Sequence, residues 1–357
     1  MKTIPYSNQS PMVLAGDIGG TNTTLALVER GSAGDFTVLA SKRFSSQDLS
    51  GMEEAIAQAL DEFSADHPQA SLRGCCLSGA GPVVDNICHT SNIPWNIDGP
   101  AIQKKFGLPT IIINDFSAIC YGIPLLDPAD PAQLTPLPHP DGTMPAQSEM
   151  LPGLSVQAVV GAGTGLGIGY LVKEGQRYVA FPSEAGHSDF GAFDPETREL
   201  QAYLHEKIGA NPGTEQYVSG QGIVNIHEFF CSRQSALNET NTAILGLPRD
   251  QRAPEISKAS DSDPICGKSL QLFVQMYARF ASSMALTYLP KGGLFLAGGI
   301  AAKNKQWFIK DSFFMETFLK NYKESMKAAL YNIPVYIVED YGISLSGAAH
   351  GFFSLNQ

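Results

Sequence analysis

Twice in this chain an apolar run ends in a glycine-rich turn and resumes at once as a second β-prone run. The first copy is Met12 to Gly16, then Asp17-Ile18-Gly19-Gly20-Thr21-Asn22, then Thr23 to Glu29; the second is Val156 to Val160, then Gly161-Ala162-Gly163-Thr164-Gly165-Leu166-Gly167, then Ile168 to Val172. Short β-rich runs bounded by glycine read as strand, turn, strand. The same unit met at two distant places reads as an internal duplication. At 357 residues the chain also exceeds what one hydrophobic core usually organises, so two packed α/β units are expected.

The rest of the pattern fits a mixed sheet with helical cover in each half. In the first, Phe36 to Phe44, Gly74 to Ser78 and Val83 to Cys88 read as strands, Met52 to Phe63 has helical apolar spacing, and Thr110 to Ile113 ends a strand at Asn114-Asp115. Leu126 to Pro152 is rich in proline and reads as a long irregular loop or linker. In the second half, Arg198 to Ile208, Ile223 to Ser232 and Lys268 to Tyr288 read as helices, Leu294 to Ala297 as a strand ending in Gly298-Gly299, and Pro334 to Val338 as the last strand. A final helix, Ser344 to Phe353 after Tyr341-Gly342, is expected to pack back on the first unit. The expected division is a smaller domain of residues 1–125 plus 340–357 and a larger one of 126–339.

Charge narrows the class of ligand. With 35 acidic residues against 24 Lys and Arg, a net charge of -11, the chain attracts neither nucleic acid nor an anionic membrane. A nucleotide ligand would need its phosphates neutralised locally, by backbone N–H groups and a metal ion. Six cysteines without a C-x-x-C spacing read as buried reduced thiols. The opening MKTIPYSNQSPM has no apolar run of the secretory kind, and the longest apolar stretches fall below the about 18 residues of a membrane span. A cytoplasmic protein is expected.

Five places carry candidate chemistry. Gly19 and Gly20 let backbone N–H groups approach an anion closely, with Asp17 near metal and phosphates; the alternative is an ordinary β-hairpin turn. Gly161 to Gly167 suits a second backbone cradle for the β and γ phosphates, with Thr164 donating its hydroxyl. It misses the dinucleotide-binding glycine spacing, and Gly267-Lys268-Ser269 fails as a phosphate-binding loop because Ser262 stands where the first glycine must be. Asp115 after a strand end can accept an alcohol proton while Asn114 orients sugar hydroxyls; Asp115 is equally at home as the N-cap of a helix Phe116 to Tyr121. Ser183-Glu184-Ala185-Gly186-His187 brings together a carboxylate and an imidazole suited to vicinal hydroxyls, or is a solvated loop. Phe295 to Ile300, through Gly298-Gly299, offers bare backbone on which adenine could lie, or close strand-to-helix packing. Glu215 carries no signal of its own.

In this order the motifs, from Gly16-Asp17-Ile18-Gly19-Gly20-Thr21-Asn22 to Gly347-Ala348-Ala349-His350, resemble the bacterial glucokinase family of the hexokinase and actin-like superfamily. The resemblance implies an α/β fold of two ribonuclease H-like domains with an interdomain cleft that closes on the sugar, and transfer of a phosphoryl group from ATP with Mg²⁺ to glucose. It makes Asp115 the catalytic base and Asn114, Asp115, Glu184, His187 and Glu215 the glucose contacts. Gly16, Asp17, Ile18, Gly19, Gly20 and Thr21 become the first nucleotide stretch, Gly163, Thr164 and Gly165 the second, and Gly298 and Gly299 the adenosine segment. It also implies a homodimer. Ser183 and Ala185 depart from the glycines more usual there, the proline-rich stretch after Leu126 is long, and the region from Cys231 to Pro254 aligns poorly. The cysteine-rich zinc site of the related repressor-type sugar kinases is missing, which favours the zinc-free branch. A kinase for another hexose and a non-catalytic sugar sensor remain as rivals; Asp115 and the lack of a helix-turn-helix segment before the first strand oppose the second.

Overall fold

The computed structural model describes residues 10–68, 71–90, 92–340 and 342–356. The first nine residues, read above for a secretory signal, and Tyr341 lie outside the described residues. The chain divides into two compact units: the first holds the described residues through Leu126, Lys173–Pro182 and those from Gly342 on; the second holds Asp127–Val172 and the described residues from Ser183 to 340. Residues 173–182 thus group with the first unit, where the sequence division put them in the second. The reason is local: Ala180 N donates to Tyr121 Oη at 3.2 Å, and the Tyr178 ring meets His350 edge-on at 5.4 Å.

The sheet of the first unit is built from β1 (Met12–Ile18), β2 (Asn22–Arg30), β3 (Phe36–Ser45), β4 (Leu72–Gly79) and β5 (Thr110–Asn114), in the order β3-β2-β1-β4-β5. The glycine turn makes β1 and β2 an antiparallel hairpin, whereas β4 and β5 run parallel to β1. Helix Met52–Asp66 presents Met52, Ala55, Ile56, Ala59 and Phe63 to a core shared with Leu14, Leu25, Leu27, Cys75, Leu77 and Ile112. Helix Asp115–Gly122 packs against the C-terminal helix Ile343–Leu355. Their backbones meet so closely that a Cβ at Gly347 would lie 2.0 Å from the Ala118 carbonyl oxygen, so only glycine permits this crossing.

In the second unit β6 (Leu134–Pro136), β7 (Leu154–Ala162), β8 (Leu166–Glu174), β9 (Leu294–Ala297) and β10 (Val335–Val338) stand in the order β8-β7-β9-β10-β6. Again a glycine turn joins two neighbouring strands, and again parallel strands, β9 and β10, follow on the far side of the first. This is the duplication expected from the paired turns. The core is dominated by helix Pro264–Tyr288, whose Phe273, Val274, Tyr277 and Ala281 are fully buried; Tyr277 Oη donates to the Val160 carbonyl at 2.8 Å. Among the described residues no helix is long and apolar enough to cross a membrane.

Three local expectations change. Val83 to Cys88 is two short antiparallel strands, Val83–Val84 and Ile87–Cys88, because Asp85 and Asn86 take left-handed φ of 52° and 62° and turn the chain. The proline-rich stretch after Leu126 contains β6, an edge strand that pairs antiparallel with β10. The poorly aligning region forms helices Glu239–Gly246 and Arg249–Ala259.

Candidate active site

Register sets the geometry in the first unit. Ile18 in β1 is level with Gly79 in β4, and Gly79 is level with Asn114 in β5, so the first glycine turn and Asn114-Asp115 both leave the carboxyl ends of parallel strands. That edge is where open α/β sheets bind ligands. Gly16 and Ile18 are buried within β1 itself; a Cβ on Gly16 would lie 2.5 Å from the Leu77 side chain. The turn is pinned by Ser46 and Gln47, which no motif in the sequence marks. Ser46 Oγ donates to the Gly19 carbonyl at 2.7 Å, Ser46 N donates to the Thr21 carbonyl at 3.0 Å, and Gln47 Nε2 donates to the Gly20 carbonyl at 2.8 Å. With its carbonyls held, the turn is an ordered loop. Asp17 is half-buried, and its Oδ2 accepts from Ser344 Oγ at 2.8 Å.

Asn114, not Asp115, is the N-cap. Its Oδ1 accepts from Phe116 N at 2.9 Å and Ser117 N at 3.4 Å, and its Nδ2 donates to the Gly81 carbonyl at 3.3 Å. Asp115 is the first residue of the helix, half-buried, with Oδ1 accepting from its neighbour Phe116 N at 2.9 Å. A carboxylate in the first turn of a helix is favoured by the unpaired N–H groups there. Nearby, burial and then the Asp115 carboxylate push the Cys88 thiol up to about 11, so no thiolate forms beside Asp115 at neutral pH.

In the second unit the Glu184–His187 segment, Glu215 and the second glycine turn meet at Leu166. Glu215, on the short helix Thr214–Gln216, accepts at Oε2 from Leu166 N at 2.9 Å; a Cβ on Gly165 would stand 2.5 Å from that oxygen. Gly186 packs so tightly that its Cβ would lie 2.2 Å from the Leu166 carbonyl oxygen. The Glu215 segment is in turn tied to the His187 segment, since Thr214 N and Oγ1 both donate to the Ser188 carbonyl, at 2.8 and 2.9 Å. Glu184 and His187 are exposed, with Oε2 and Nε2 3.8 Å apart. Sequence gave Glu215 no distinguishing pattern because its role is a contact made across the fold.

Thr164 is the exposed tip of the second turn, and the Gly163 carbonyl accepts from Gly220 N at 2.8 Å, at the start of helix Gly220–Ser232. Ser219 caps that helix, accepting from Gly222 N at 3.1 Å. Gly163, Thr164 and Gly220 open on a cavity of about 950 Å³, which Gly299 and Ile300 also line. Two motifs far apart in sequence therefore share one cavity. Gly298 adjoins it with a φ of 83°, and a Cβ there would strike the Ala162 carbonyl oxygen at 2.4 Å. The wall made by helix Arg249–Ala259, including Arg249, Ala253, Pro254 and Ser257, lies in the region that aligned poorly.

A doubled strand–glycine turn–strand unit, each followed by parallel strands, defines the hexokinase and actin-like fold. Solved structures agree. A glucokinase from an Antarctic psychrotroph superposes with a TM-score of 0.78 at 25% identity, covering 97% of this chain and 99% of that one. A ROK family glucokinase from Streptomyces griseus, in complex with glucose and AMPPNP, superposes with a TM-score of 0.57 at 18% identity, covering 95% of this chain and 98% of that one, and shows the fold alone. By sequence the chain is 35% identical over 352 residues to a glucokinase of Nostoc punctiforme, covering 95% of this chain and 98% of that one. The family model described as Glucokinase matches residues 14–354. The chain belongs to the glucokinase family.

Proposed function

We propose that this protein transfers the γ-phosphoryl group of ATP to the 6-hydroxyl of glucose, releasing ADP and glucose 6-phosphate as the entry step of cytoplasmic glycolysis, as a homodimer. The observation that carries the reading is the level register of Ile18, Gly79 and Asn114, which sets a carboxylate suited to taking an alcohol proton at the same sheet edge as a pinned glycine turn. Asp115 accepts the proton of the 6-hydroxyl as its oxygen attacks, while the leaving ADP takes the electron pair of the broken P–O bond. Most of the rate comes from positioning and charge stabilisation.

The sugar ligands proposed are Asn114, Glu184, His187 and Glu215. Two of them are partly committed. Asn114 Oδ1 serves helix N–H groups and one Nδ2 hydrogen goes to the Gly81 carbonyl, which leaves the second Nδ2 hydrogen to reach a hydroxyl, and Glu215 offers Oε1 because Oε2 holds Leu166 N. The backbone of the turn Gly19 to Thr21 and of Gly163 to Gly165, with the Thr164 hydroxyl, binds phosphates, Gly16 and Ile18 supporting the first turn from within β1, and Gly298-Gly299 receives the nucleoside in the cavity beside Thr164. Kinship with proteins named glucokinase supports glucose as acceptor and a nucleoside triphosphate as donor.

Asp17 fits Mg²⁺. Among the described residues no group of three His, Cys, Asp or Glu is placed to hold a metal by itself. A half-buried carboxylate oriented by Ser344 is the donor set of an ion that keeps several waters and shares the nucleotide's phosphates. Bound there, Mg²⁺ supplies neutralisation of phosphate charge. A coupled assay with ATP, Mg²⁺ and a panel of hexoses tests the proposal: glucose 6-phosphate must form, and failure to phosphorylate glucose while turning over another hexose, or none, overturns it.

A further inference from the structure

Helix Arg249–Ala259 carries a proline in its interior, and both Pro254 and Asp250, one turn earlier, line the 950 Å³ cavity. Proline has no N–H, so the Asp250 carbonyl lacks the donor four residues on, and the pyrrolidine ring crowds it away from the helical direction. Residues i and i+4 share one face of a helix, and the carbonyl of residue i lies between them. The strip of helix surface that faces the cavity therefore carries an acceptor whose helical partner is missing.

The helix keeps its place because its first half is anchored from the side. Arg249 Nη1 donates to both oxygens of Glu228, at 2.6 and 2.8 Å, and its Nη2 donates to Asn225 Oδ1. Arg252 Nη1 donates to Glu228 at 2.7 Å, while its Nε and Nη2 hold the Leu247 and Leu245 carbonyls at 2.9 and 2.7 Å. Around the acceptor, Ala253, Pro254, Ile223 and Ile300 supply apolar walls suited to a flat base, and Thr164 with Gly220 marks the phosphate end.

We infer that the Asp250 carbonyl accepts a hydrogen bond from the 6-amino group of adenine, so that helix Arg249–Ala259 selects adenine over guanine in the phosphoryl donor. The inference rests on the cavity being the nucleotide site proposed above. Guanine presents a carbonyl oxygen where adenine presents the amino group, which sets acceptor against acceptor and leaves two polar groups unpaired. Purine riboside, with neither group, loses only the bond.

The test compares kcat/KM for ATP, purine riboside triphosphate and GTP at saturating glucose in the wild type and in Pro254→Ala, which restores the missing N–H. The wild type is expected to favour ATP over purine riboside triphosphate by roughly fivefold or more and over GTP by roughly fiftyfold or more. In Pro254→Ala the ratio of ATP to purine riboside triphosphate falls to near one. Affinities for the same nucleotides by calorimetry give the ratio without turnover, so a variant with impaired catalysis still reports. Equal use of ATP and purine riboside triphosphate by the wild type, or an unchanged ratio in the variant, overturns the inference and leaves the kinase reading standing. Absence of binding and turnover with every nucleotide overturns both.

Discussion

Ser344 Oγ donates a 2.8 Å hydrogen bond to Asp17 Oδ2, tying the start of the C-terminal helix to the end of β1 across 327 residues of chain. The bond fixes one oxygen of the carboxylate and leaves its orientation set from behind. A hydrogen bond to a charged group contributes about 1.5 to 3 kcal/mol. Ser344→Ala should therefore raise the KM for Mg·ATP by roughly tenfold, weaken Mn²⁺ binding to the ADP complex read by electron paramagnetic resonance, and move the KM for glucose little. Unaltered Mn²⁺ binding would show that Asp17 needs no such partner.

The capping arrangement separates Asn114 from Asp115 experimentally. Asp115→Ala should lower kcat by about 10²-fold or more through loss of the general base, with glucose binding still measurable. Asn114→Ala should lose stability of about 1 kcal/mol, because the cap goes. Asn114→Asp retains a cap of equal quality but replaces the Nδ2 donor to the Gly81 carbonyl with an acceptor, so its melting temperature should fall through that lost bond alone while the glucose KM rises. A normal glucose KM in Asn114→Asp would make Asn114 a structural cap alone.

Much of this was legible in the sequence, for identifiable reasons. The two glycine turns and the strands around them stand out because turn chemistry and strand periodicity are local properties of the chain. The Asn114-Asp115 pair was found at its strand end, but which of the two caps the helix was not, because both side chains can cap and only the backbone at position 114, with φ of -68° and ψ of 149°, decides it. Ser344, Ser46 and Glu215 act through partners far away in sequence, and nothing in their neighbours marks them. Pro254 inside helix Arg249–Ala259 obscured that helix for the same reason that makes it interesting, since a proline ordinarily ends a helical pattern. There the side-chain anchors on Glu228 overrode local propensity.

Two glycines beside Leu166 should behave in opposite ways. A Cβ on Gly165 meets only the far end of the Glu215 side chain, at 2.5 Å, so Gly165→Ala should fold with a small loss of stability while pushing the carboxylate off Leu166 N. It should then reproduce most of the kinetic defect of Glu215→Ala, chiefly a raised glucose KM with kcat less affected. A Cβ on Gly186 meets the Leu166 carbonyl oxygen at 2.2 Å, and that backbone cannot swing aside cheaply. Gly186→Ala should lower the melting temperature strongly, as overpacking against backbone does. Differential scanning calorimetry and steady-state kinetics on the pair check the contrast, and equal melting temperatures would refute it.

Buried histidines should make the fold weaken in mild acid. Burial lowers the pKa of His227 below the ordinary 6.5, outweighing the hydrogen bond to Asn241 and the Asp263 and Glu228 carboxylates that favour the cation, with Arg252 adding to the depression. Burial likewise lowers His350, against the Tyr121 carbonyl that accepts from it and together with Arg30. In both cases the folded state holds the ring neutral where the unfolded chain takes up a proton. The unfolded state then binds more protons as pH falls below 6.5, so stability is full above that value and is lost toward the lower folded pKa, by at most about 1.4 kcal/mol per pH unit for each histidine. Glu228 and Asp263 do not confuse this window. Although burial opposes it, Arg249 and Lys207 hold Glu228 below its ordinary 4.5, and N–H donors hold Asp263 below 3.8, so their stabilisation is lost only in stronger acid. Urea midpoints between pH 7.5 and 5 should fall in the wild type and fall less steeply in His227→Gln, whose amide keeps a partner for Asn241. An identical slope in that variant would place the acid sensitivity elsewhere.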